Sequence, residues 1–483
     1  VLFNTGQKEY KGVTEVEIEF PAGSQGNFKI FDGKGNEVPY QLLNVKKSTR
    51  KRVVRFRRLI EFQDVDIYKV AFTASIPPIG YSLYGYEEYK NTPLSIGDYT
   101  YKEFHGPVRY TGTMRTGCRT WENEYLRVSV ENNGTLKVLN KATGKEYADL
   151  MIFEDCADIG DGWNYRKPLK DSEFISIGGK FDFSVEHDGP LYAQWKIITY
   201  MNLPAGMNVN GNERAEELKE FRITTYICMK KGSPRLEFKS CIDNNIGEHR
   251  VRVLFPSFIY TDKFFTSTPF CIQERNIKKP DWSSYVEAET GVYPNQGVVM
   301  LKDANDSFSL FNKGLYEVEV TEDESRTVAL TLFRSFRNEV GRDSGEMSFM
   351  YRSMVFEYAV EFNSSKVSSG DIMVSGESWR TGIKALCTDT HKGCLPGELS
   401  FLNINIPGAV FSSFRNCMGG MKAVRLYNCM NEAVSGSITV FRAPEKVFLL
   451  NLNDEVIGET GFEGNEVHVN MKPAQILTLG LLY

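Results

Sequence analysis

The chain has 483 residues, of which 41% are hydrophobic and 25% charged, with a formal net charge of −5. A chain of this length usually divides into about two to four domains and can bury a large core. The charge is mildly negative and no block of ~5–6 like charges occurs, so the basic surface that nucleic acid or an anionic membrane would need is missing. We therefore expect neither nucleic acid nor a membrane as a partner.

The sequence carries no membrane-spanning or secretory signal. No run of about 18 apolar residues occurs, and the start at Val1 lacks the charged and apolar regions of a signal peptide. The nine cysteines are odd in number and irregularly spaced, which predicts reduced thiols in a cytoplasmic protein. Because the sequence does not begin with Met, we expect a fragment or a processed chain.

Strict alternation of apolar and polar residues is the commonest local pattern, and it occurs at 15–20, 125–130 and 316–320. It puts one face of a segment in a core and the other in water, as in a β-strand. Asn133-Gly134, between two alternating runs, predicts a tight hairpin. Helical periodicity is nearly absent, with the charged stretch at 213–221 as the best helix candidate. The sequence therefore predicts an all-β chain of antiparallel sheets.

Two stretches interrupt the strand pattern and mark candidate domain boundaries. Residues 79–105 are rich in Tyr and Gly, and residues 363–378 have the Ser- and Gly-rich composition of a loop or linker. We therefore predict three β-domains, at 1–105, 106–365 and 366–483.

The sequence contains few of the patterns that bind catalytic metals. Its five histidines form none of the compact zinc signatures, and the best metal candidate is Cys387-x-x-x-His391-x-x-Cys394. A structural zinc site needs a fourth ligand, which no nearby residue supplies at the usual spacing, so two free cysteines and a solvent-facing histidine are favoured. His249, just before an apolar strand, is interpreted as a hydrogen-bonding residue at a sheet edge. No catalytic or metal-binding residue is assigned from these motifs.

The most informative polar segment combines carboxylates, an amide and two aromatic rings in what we expect to be one loop. Sugars are held in this way, because carboxylates accept hydroxyl groups and an aromatic ring covers the apolar sugar face. The alternative is a surface loop in which Trp163 packs down as an anchor, and the residues favour neither. The segment comprises Glu154, Asp155, Asp158 and Asp161, followed by Gly162, Trp163, Asn164 and Tyr165.

A second polar group follows the apolar strand at 328–333. Arginine can orient an acid or bind substrate hydroxyls through planar bidentate contacts. Mixed charges in a loop more often form a solvated ion-pair network that contributes little energy, and composition does not decide between the two. The group comprises Arg334, Arg337, Asn338, Glu339, Arg342 and Asp343.

A set of segments, spread over almost the whole chain, is similar to one known family. The segments are Val1-Leu2-Phe3-Asn4, Ile79-Gly80-Tyr81, Glu122 to Val128, Asn133-Gly134-Thr135-Leu136, Asp243-Asn244-Asn245, Phe311 to Tyr316, Leu330 to Ser335 and Pro473-Ala474-Gln475. None of them is a catalytic signature. Taken in this order, they resemble the C-terminal β-region of glycoside hydrolase family 38, the retaining α-mannosidases.

This resemblance implies a fold and a missing partner domain. The fold is a central galactose-mutarotase-like supersandwich with further antiparallel β-sandwiches around it. Family members carry a zinc-dependent α/β catalytic domain upstream, none of which lies in this chain, so we expect no cofactor here and zinc in the missing domain. Retaining hydrolysis needs two carboxyl groups that flank the scissile bond. Because the β-region does not supply the nucleophile and the zinc, the chain alone is predicted to be inactive.

The resemblance also implies partners and site residues. In the family, the β-region folds against its own N-terminal catalytic domain and lends loop residues to the rim of the α-mannoside pocket. Without that domain an apolar face is exposed, so the chain is expected to bind the catalytic part or to form a homo-oligomer. The rim residues carried over to this sequence are Asp161, Trp163, Asn164, Tyr165, Arg342 and Asp343.

Two other functions stay open. A stand-alone carbohydrate-binding protein would use Trp163, Tyr165 and the stretch at 81–101 as stacking platforms. A supersandwich enzyme such as a sugar epimerase would need a His and Glu acid–base pair in one cleft. Only His187 and His249 are available for that role in the middle of the central block.

Overall fold

The computed structural model describes residues 1–483 apart from 25, 55–59, 89–93, 97–98, 102–110, 280, 282, 285–289, 340–341 and 389. Of the described residues, 57% are in strands and 5% are helical. The strands pair antiparallel, so the prediction of an all-β chain of antiparallel sheets is confirmed. No helix in the described part is long and apolar enough to cross a bilayer.

The alternating segments form strands with one buried face. In Leu126–Val130 the apolar side chains are buried and Arg127 is exposed. This strand pairs with Leu136–Asn140 across the predicted turn at Asn133-Gly134. Gly134 has a φ of +85°, a conformation that glycine adopts without a steric penalty. The predicted hairpin is therefore confirmed.

The first region contains two small sheets that share one hydrophobic core, in which Phe28 stacks on Tyr40 with ring centroids 4.9 Å apart. One sheet has the strand order Tyr10–Pro21, Ile60–Ile76 and Tyr40–Val54. The other has the order Glu37–Val38, Phe28–Asp32 and Tyr84–Glu88. A separate pair is formed by Leu94–Ile96 and Tyr99–Tyr101.

The central region contains the largest core, in which Trp121 and Trp195 are fully buried and stack with centroids 4.3 Å apart. Its five-stranded sheet runs Arg115–Gly117, Thr120–Glu122, Leu126–Val130, Leu136–Asn140 and Glu146–Leu150. Its six-stranded sheet runs Phe174–Ile175, Ile152–Ala157, His249–Pro256, Thr327–Ser335, Glu317–Val320 and Tyr293–Pro294. Its nine-stranded sheet runs Lys180–His187, Tyr192–Pro204, Leu218–Lys230, Arg235–Asp243, Ser353–Ser364, Asp306–Asn312, Val298–Lys302, Lys263–Thr268 and Cys271–Asn276.

The last region is a sandwich of two sheets around a third core. Its four-stranded sheet runs Leu402–Asn405, Val434–Val440, Glu466–Met471 and Phe462–Glu463. Its five-stranded sheet runs Ala409–Asn416, Lys422–Asn428, Ile476–Leu482, Lys446–Leu450 and Val456–Glu459. Short 3₁₀ turns occur at Gly345–Ser348 and Met418–Gly420.

The linker predicted at 363–378 is wrong. Ser353–Ser364 is a strand, and an α-helix, Ser369–Thr381, follows it closely. The hydroxyl oxygen of Ser368 accepts a hydrogen bond from the backbone N–H of Asp371 at 3.0 Å, which is the contact of a helix N-cap. The serine that suggested a linker therefore starts a helix.

The glycines of this helix permit close packing. A Cβ atom at Gly376 would collide with side chains of Val298 and Phe311 in the central region, and a Cβ atom at Gly370 would lie 2.9 Å from the Cα of Gly408 in the last region. The helix is therefore wedged between the two regions. The helix candidate at 213–221 is also wrong, because its last residues begin the strand Leu218–Lys230.

A four-stranded sheet joins distant parts of the chain. Its strand order is Ile383–Ala385, Leu2–Asn4, Gly80–Ser82 and Glu398–Ser400. The first and last regions therefore share backbone hydrogen bonds. The three domain ranges stay a prediction, and both the boundary near 105 and His105 lie outside the described residues.

Substitution Gly80→Ala is expected to loosen this joining sheet. A Cβ atom at Gly80 would collide with the backbone carbonyl of Leu399 in the adjacent strand, and backbone has little freedom to move away. Overpacking of this kind lowers the free energy of unfolding by about 1–3 kcal/mol. Urea unfolding of the whole chain measures the loss.

Gly85→Ala is the matched control, because a Cβ atom at Gly85 meets no described atom within 4 Å. We expect its stability to lie within about 0.5 kcal/mol of the unchanged chain. Equal stabilities of the two variants would contradict the close approach of these strands.

Candidate functional site

The first part of the acidic segment lies in a strand rather than in a loop. Ile152–Ala157 is buried along its whole length and pairs with His249–Pro256. Glu154 and Asp155 are both buried in this strand. The prediction that these two carboxylates belong to an open sugar-binding loop is therefore wrong.

Asp155 is paired with two basic side chains. Its Oδ2 atom lies 2.5 Å from His249 Nδ1, and its Oδ1 atom lies 2.5 Å from Arg214 Nη1. The other ring nitrogen of His249 lies 3.0 Å from Asn244 Oδ1. His249 is fully buried between two neighbouring strands, so its interpretation as a sheet-edge residue is wrong. Its burial also keeps this imidazole out of reach of a substrate.

Glu154 takes part in a second buried cluster. Arg252 donates from Nε to Glu154 Oε1 at 2.7 Å and from Nη2 to Glu154 Oε2 at 3.0 Å. The same guanidinium donates from Nη1 to Glu319 Oε2 at 2.6 Å. Burial raises the pKa of Glu319, but Arg252 and Lys279 outweigh it and hold this pKa below its ordinary value. Glu319 therefore stays charged, and Arg252 connects three strands through its two carboxylate partners.

Asp158 and Arg334 form the contact that fixes the candidate loop. Arg334 donates from Nε to Asp158 Oδ2 at 2.7 Å and from Nη2 to Asp158 Oδ1 at 3.2 Å. Nη2 also donates to the backbone carbonyls of Asp161 and Asn164, each at 2.9 Å. One buried guanidinium thus holds both ends of the turn that carries Trp163. The sequence pointed to Arg334 as one of several arginines that could orient an acid, and the structure identifies Asp158 as that acid.

Asp161 shapes this turn from within. Its Oδ1 atom accepts hydrogen bonds from the backbone N–H groups of Trp163 and Asn164, both at 2.8 Å. These two N–H groups, with a smaller contribution from Arg334, hold the pKa of Asp161 below its ordinary value. One carboxylate oxygen is therefore used by the fold, while Oδ2 has no described hydrogen bond. The residue can still accept a hydroxyl group from a ligand.

The two aromatic residues of the loop have opposite environments. Trp163 is 76% exposed, so the alternative in which it packs down as an anchor is wrong. Tyr165 is covered by Arg250, whose guanidinium lies 3.5 Å from the ring centroid, and its hydroxyl lies 3.4 Å from Cys156 Sγ. Burial raises the pKa of Tyr165. Trp163 and Asn164 are accessible to a ligand, whereas Tyr165 supports the loop from below.

Arg342 and Asp343 lie in a short hairpin next to this loop. Arg342 pairs with Glu339 in the two-stranded sheet, and both predicted residues are exposed. Asp343 Oδ1 accepts a hydrogen bond from the backbone N–H of Gly345 at 2.7 Å. The hairpin approaches the loop where Asn338 Nδ2 contacts the carbonyl of Ile159 at 3.4 Å. The six predicted rim residues thus lie in two neighbouring segments, the loop at 161–165 and the hairpin of Arg342 and Asp343. No direct contact between the rim residues of the loop and those of the hairpin is described.

Four segments come together at this end of the central region, and we call them the loop face: 158–173, 205–217, 244–248 and the described residues of 336–352. The backbone N–H of Lys170 donates to Asn212 at 3.1 Å, and Arg337 Nε donates to Glu248 Oε1 at 3.2 Å. Large apolar side chains are exposed on these segments, namely Trp163, Leu169, Val209, Met347 and Tyr351. Their presence on neighbouring segments makes the loop face a candidate contact surface.

The described residues contain no group of three or more His, Cys, Asp or Glu side chains that could hold a metal ion. Cys387, His391 and Cys394 are exposed. In the described part of the chain they belong to no such group.

Comparison with known sequences gives a consistent result. Residues 121–341 match the glycosyl hydrolases family 38 C-terminal domain. A "Putative mannosylglycerate hydrolase" from Halalkalibacterium halodurans is 23% identical over 382 residues, which cover 74% of this chain and 41% of that protein. The predicted resemblance is confirmed.

Two solved structures from Enterococcus faecalis share the fold. An alpha-mannosidase of strain V583 superposes with a TM-score of 0.85 at 20% identity, over 99% of this chain and 55% of its own. A protein in the glycosyl hydrolase family 38 superposes with a TM-score of 0.81 at 20% identity, over 99% of this chain and 57% of its own. The chain therefore spans about half the length, or less, of the proteins it matches.

Substitution Arg334→Leu is expected to destabilise the fold strongly. It leaves the buried Asp158 carboxylate without its partner, which costs about 3–5 kcal/mol. Chemical unfolding followed by circular dichroism measures the change. Arg342→Leu is the matched control, since Arg342 is exposed, and a change within about 0.5 kcal/mol is expected. Similar losses of stability in the two variants would contradict the stabilising role of the Arg334–Asp158 contact.

The Asp161 turn is expected to open only in acid. Because the pKa of Asp161 is lowered in the fold, its stabilising contribution is complete above the ordinary value of ~3.9 and is lost as pH falls through the folded value. Amide chemical shifts of Trp163 and Asn164 during an NMR pH titration report this step. Asp161→Asn keeps an acceptor oxygen but does not titrate, so its shifts should stay constant. A titration midpoint at or above pH ~3.9 in the unchanged chain would contradict the two backbone hydrogen bonds to the Asp161 carboxylate.

Proposed function

We propose that this chain, which carries a glycosyl hydrolase family 38 C-terminal domain in residues 121–341, is the non-catalytic β-region of an α-mannosidase-like glycoside hydrolase. Its loop face packs against a catalytic domain outside this sequence and forms part of the rim of the sugar pocket. The substrate class is an α-mannoside, in line with the names of the similar proteins. The site of action in the cell is the cytoplasm.

The single observation that carries this proposal is the exposure of Trp163 on a rigid turn. The indole of Trp163 is 76% exposed, and exposing so much apolar surface to water is unfavourable. The turn that carries it is nevertheless held in place, because Arg334 donates to the backbone carbonyls of Asp161 and Asn164. A rigid aromatic platform covers the apolar face of a sugar with little loss of conformational entropy. Asn164 and the second oxygen of Asp161 are close enough in the chain to bind hydroxyl groups of the same ring.

The proposed docking surface rests on the exposed apolar side chains of the loop face. Leu169 is 90% exposed and Met347 is 91% exposed, on two different segments that meet at this end. A covering domain would remove this apolar surface from water. The chain spans only 41% of the curated relative and 55% of the solved alpha-mannosidase, which leaves room for such a domain in a longer protein. Expressed alone, the chain would use the same surface to form a homo-oligomer.

The catalytic chemistry is proposed to reside outside this chain. Retaining cleavage needs a nucleophile and an acid on either side of the glycosidic bond, and the zinc of the proposed mechanism needs grouped ligands. Three of the four carboxylates of the acidic segment, those of Glu154, Asp155 and Asp158, are instead paired with arginines. The contribution of this chain is then to bind and orient the sugar and to exclude water.

A stand-alone carbohydrate-binding protein is the second candidate, and the exposure of Trp163 also favours it. Calorimetric titration of the isolated chain with methyl α-mannoside separates the two. Millimolar or tighter binding by the chain alone would favour the second candidate. The coding frame upstream of Val1 gives independent information, because a preceding α/β domain with His-x-Asp would favour the first.

Substitution Trp163→Ala in the longer polypeptide is expected to lower kcat/KM for a p-nitrophenyl α-mannoside by about tenfold or more, because the sugar loses its aromatic contact with the indole. Stability should change little, because the side chain is exposed in the chain alone. Leu452→Ala, at an exposed position of the last region, is the control and should keep full activity. The isolated chain should show no turnover.

Two results would refute the proposal. One is an unchanged kcat/KM in Trp163→Ala, which would remove this residue from the rim. The other is turnover by the isolated chain, which would place the catalytic residues within this sequence.

A further inference from the structure

A cleft lies on the last region, and none of its lining residues belongs to the loop face. Its volume is about 510 Å³, and its lining combines aromatic rings with basic side chains. Clefts that bind small molecules usually have about 300–1,000 Å³ and a mainly apolar wall with a few polar groups. This cleft therefore has the size and composition of a small-molecule site. The residues that matter for the argument are Phe401, Phe441, Tyr483, Arg442, Lys422 and Arg415.

The aromatic wall is held in place by the backbone. Phe401 and Phe441 meet edge to face, with centroids 6.2 Å apart and an interplanar angle of 70°. The N–H of Phe441 donates to the carbonyl of Phe401 at 3.0 Å, which fixes the two residues relative to each other. Phe441 is nevertheless 50% exposed. An ordered ring with an open face is suited to stacking on a ligand.

The basic side chains of the cleft differ in whether a carboxylate neutralises their charge. Arg415 forms a bidentate pair with Asp454, at 2.5 and 2.6 Å. Lys422 contacts the neutral side chain of Asn416. Arg442 is exposed and forms no ion pair with a carboxylate of the described residues, and no acidic residue lines the cleft. Two cations therefore remain available to a ligand.

Arg442 is close to the other aromatic wall of the cleft. Burial raises the pKa of Tyr483, and the positive charge of Arg442 opposes that rise. Arg442, Phe441 and Tyr483 all line the cleft, so one ligand can contact the guanidinium and an aromatic ring together.

We propose that this cleft binds an anionic saccharide, a sugar ring that carries a carboxylate, sulfate or phosphate group. The apolar ring face lies on Phe441 and Phe401, and the anionic group is bound by Arg442 and Lys422. Arginine matches the planar geometry of these anions. The inference extends the proposed function but does not depend on the loop face, since none of the cleft residues belongs to it.

The test is titration of the complete chain, by calorimetry at low salt, with four probes. They are mannose 6-phosphate and glucuronate as charged sugars, methyl α-mannoside as a neutral sugar and inorganic phosphate as an anion without a ring. We expect the charged sugars to bind at least about tenfold more tightly than either of the other two, because only they use both the ring and the cations. Added salt should weaken their binding.

Variants identify the cleft as the site. Arg442→Gln should weaken the charged sugars by about tenfold or more, the loss of hydrogen bonds to a charged group. Phe441→Ala should weaken charged sugars and leave phosphate unaffected. Lys472→Gln and Leu452→Ala, exposed in the same region but outside the cleft, should bind as the unchanged chain does. Both cleft residues are exposed, so these variants are expected to fold.

Three results would overturn the inference. They are the absence of binding of both charged sugars, phosphate binding as tight as theirs, and binding unchanged by Arg442→Gln. Failure of the proposed function would not produce any of them, because its variants lie on the loop face. Conversely, an inactive Trp163→Ala enzyme with normal binding in this cleft would support both proposals.

Discussion

Three buried carboxylates near the end of one strand control the structure of the candidate site. Glu154, Asp155 and Asp158 are removed from water, and a buried carboxylate without a partner would cost several kcal/mol. Each is therefore paired with an arginine from another element, namely Arg252, Arg214 and Arg334. Arg252 and Arg334 lie in the strands His249–Pro256 and Thr327–Ser335, whereas Arg214 lies in the segment 205–217. The requirement to neutralise buried charge thus attaches two segments of the loop face, 158–173 and 205–217, to the six-stranded sheet.

This constraint explains how an exposed tryptophan is kept in one place. Arg334 uses part of its guanidinium for Asp158 and the rest for two loop carbonyls, so the turn of Trp163 is attached to the core by a charged group. Asp161 closes the turn from the other side through two backbone N–H groups. The arrangement holds an exposed aromatic ring in a fixed position, which the proposed role as a sugar platform requires. It suits a part of the protein that orients a substrate while another domain performs the reaction.

The sequence allowed the strands to be predicted because alternation and turn residues act locally, as at Leu126–Val130 and Asn133-Gly134. It did not reveal the burial of Glu154 and Asp155, since their compensating arginines, Arg252 and Arg214, are 98 and about 60 residues away and only the fold brings them near. The helix Ser369–Thr381 was missed because its serine cap and its contact glycines have the composition of a linker. The loop at 161–165 and Arg334 were both named from composition, whereas the contact of Arg334 with Asp158 and with the loop carbonyls required the structure.

The central claim is that the loop face forms the rim of a sugar pocket together with a catalytic domain beyond this sequence. A crystal structure of the longer protein with a bound α-mannoside inhibitor tests it most directly. The account predicts that the catalytic domain covers Leu169 and Met347 and that the Trp163 ring lies within about 4.5 Å of the sugar. A ligand bound without contact to Trp163, with the loop face open to solvent, would contradict it.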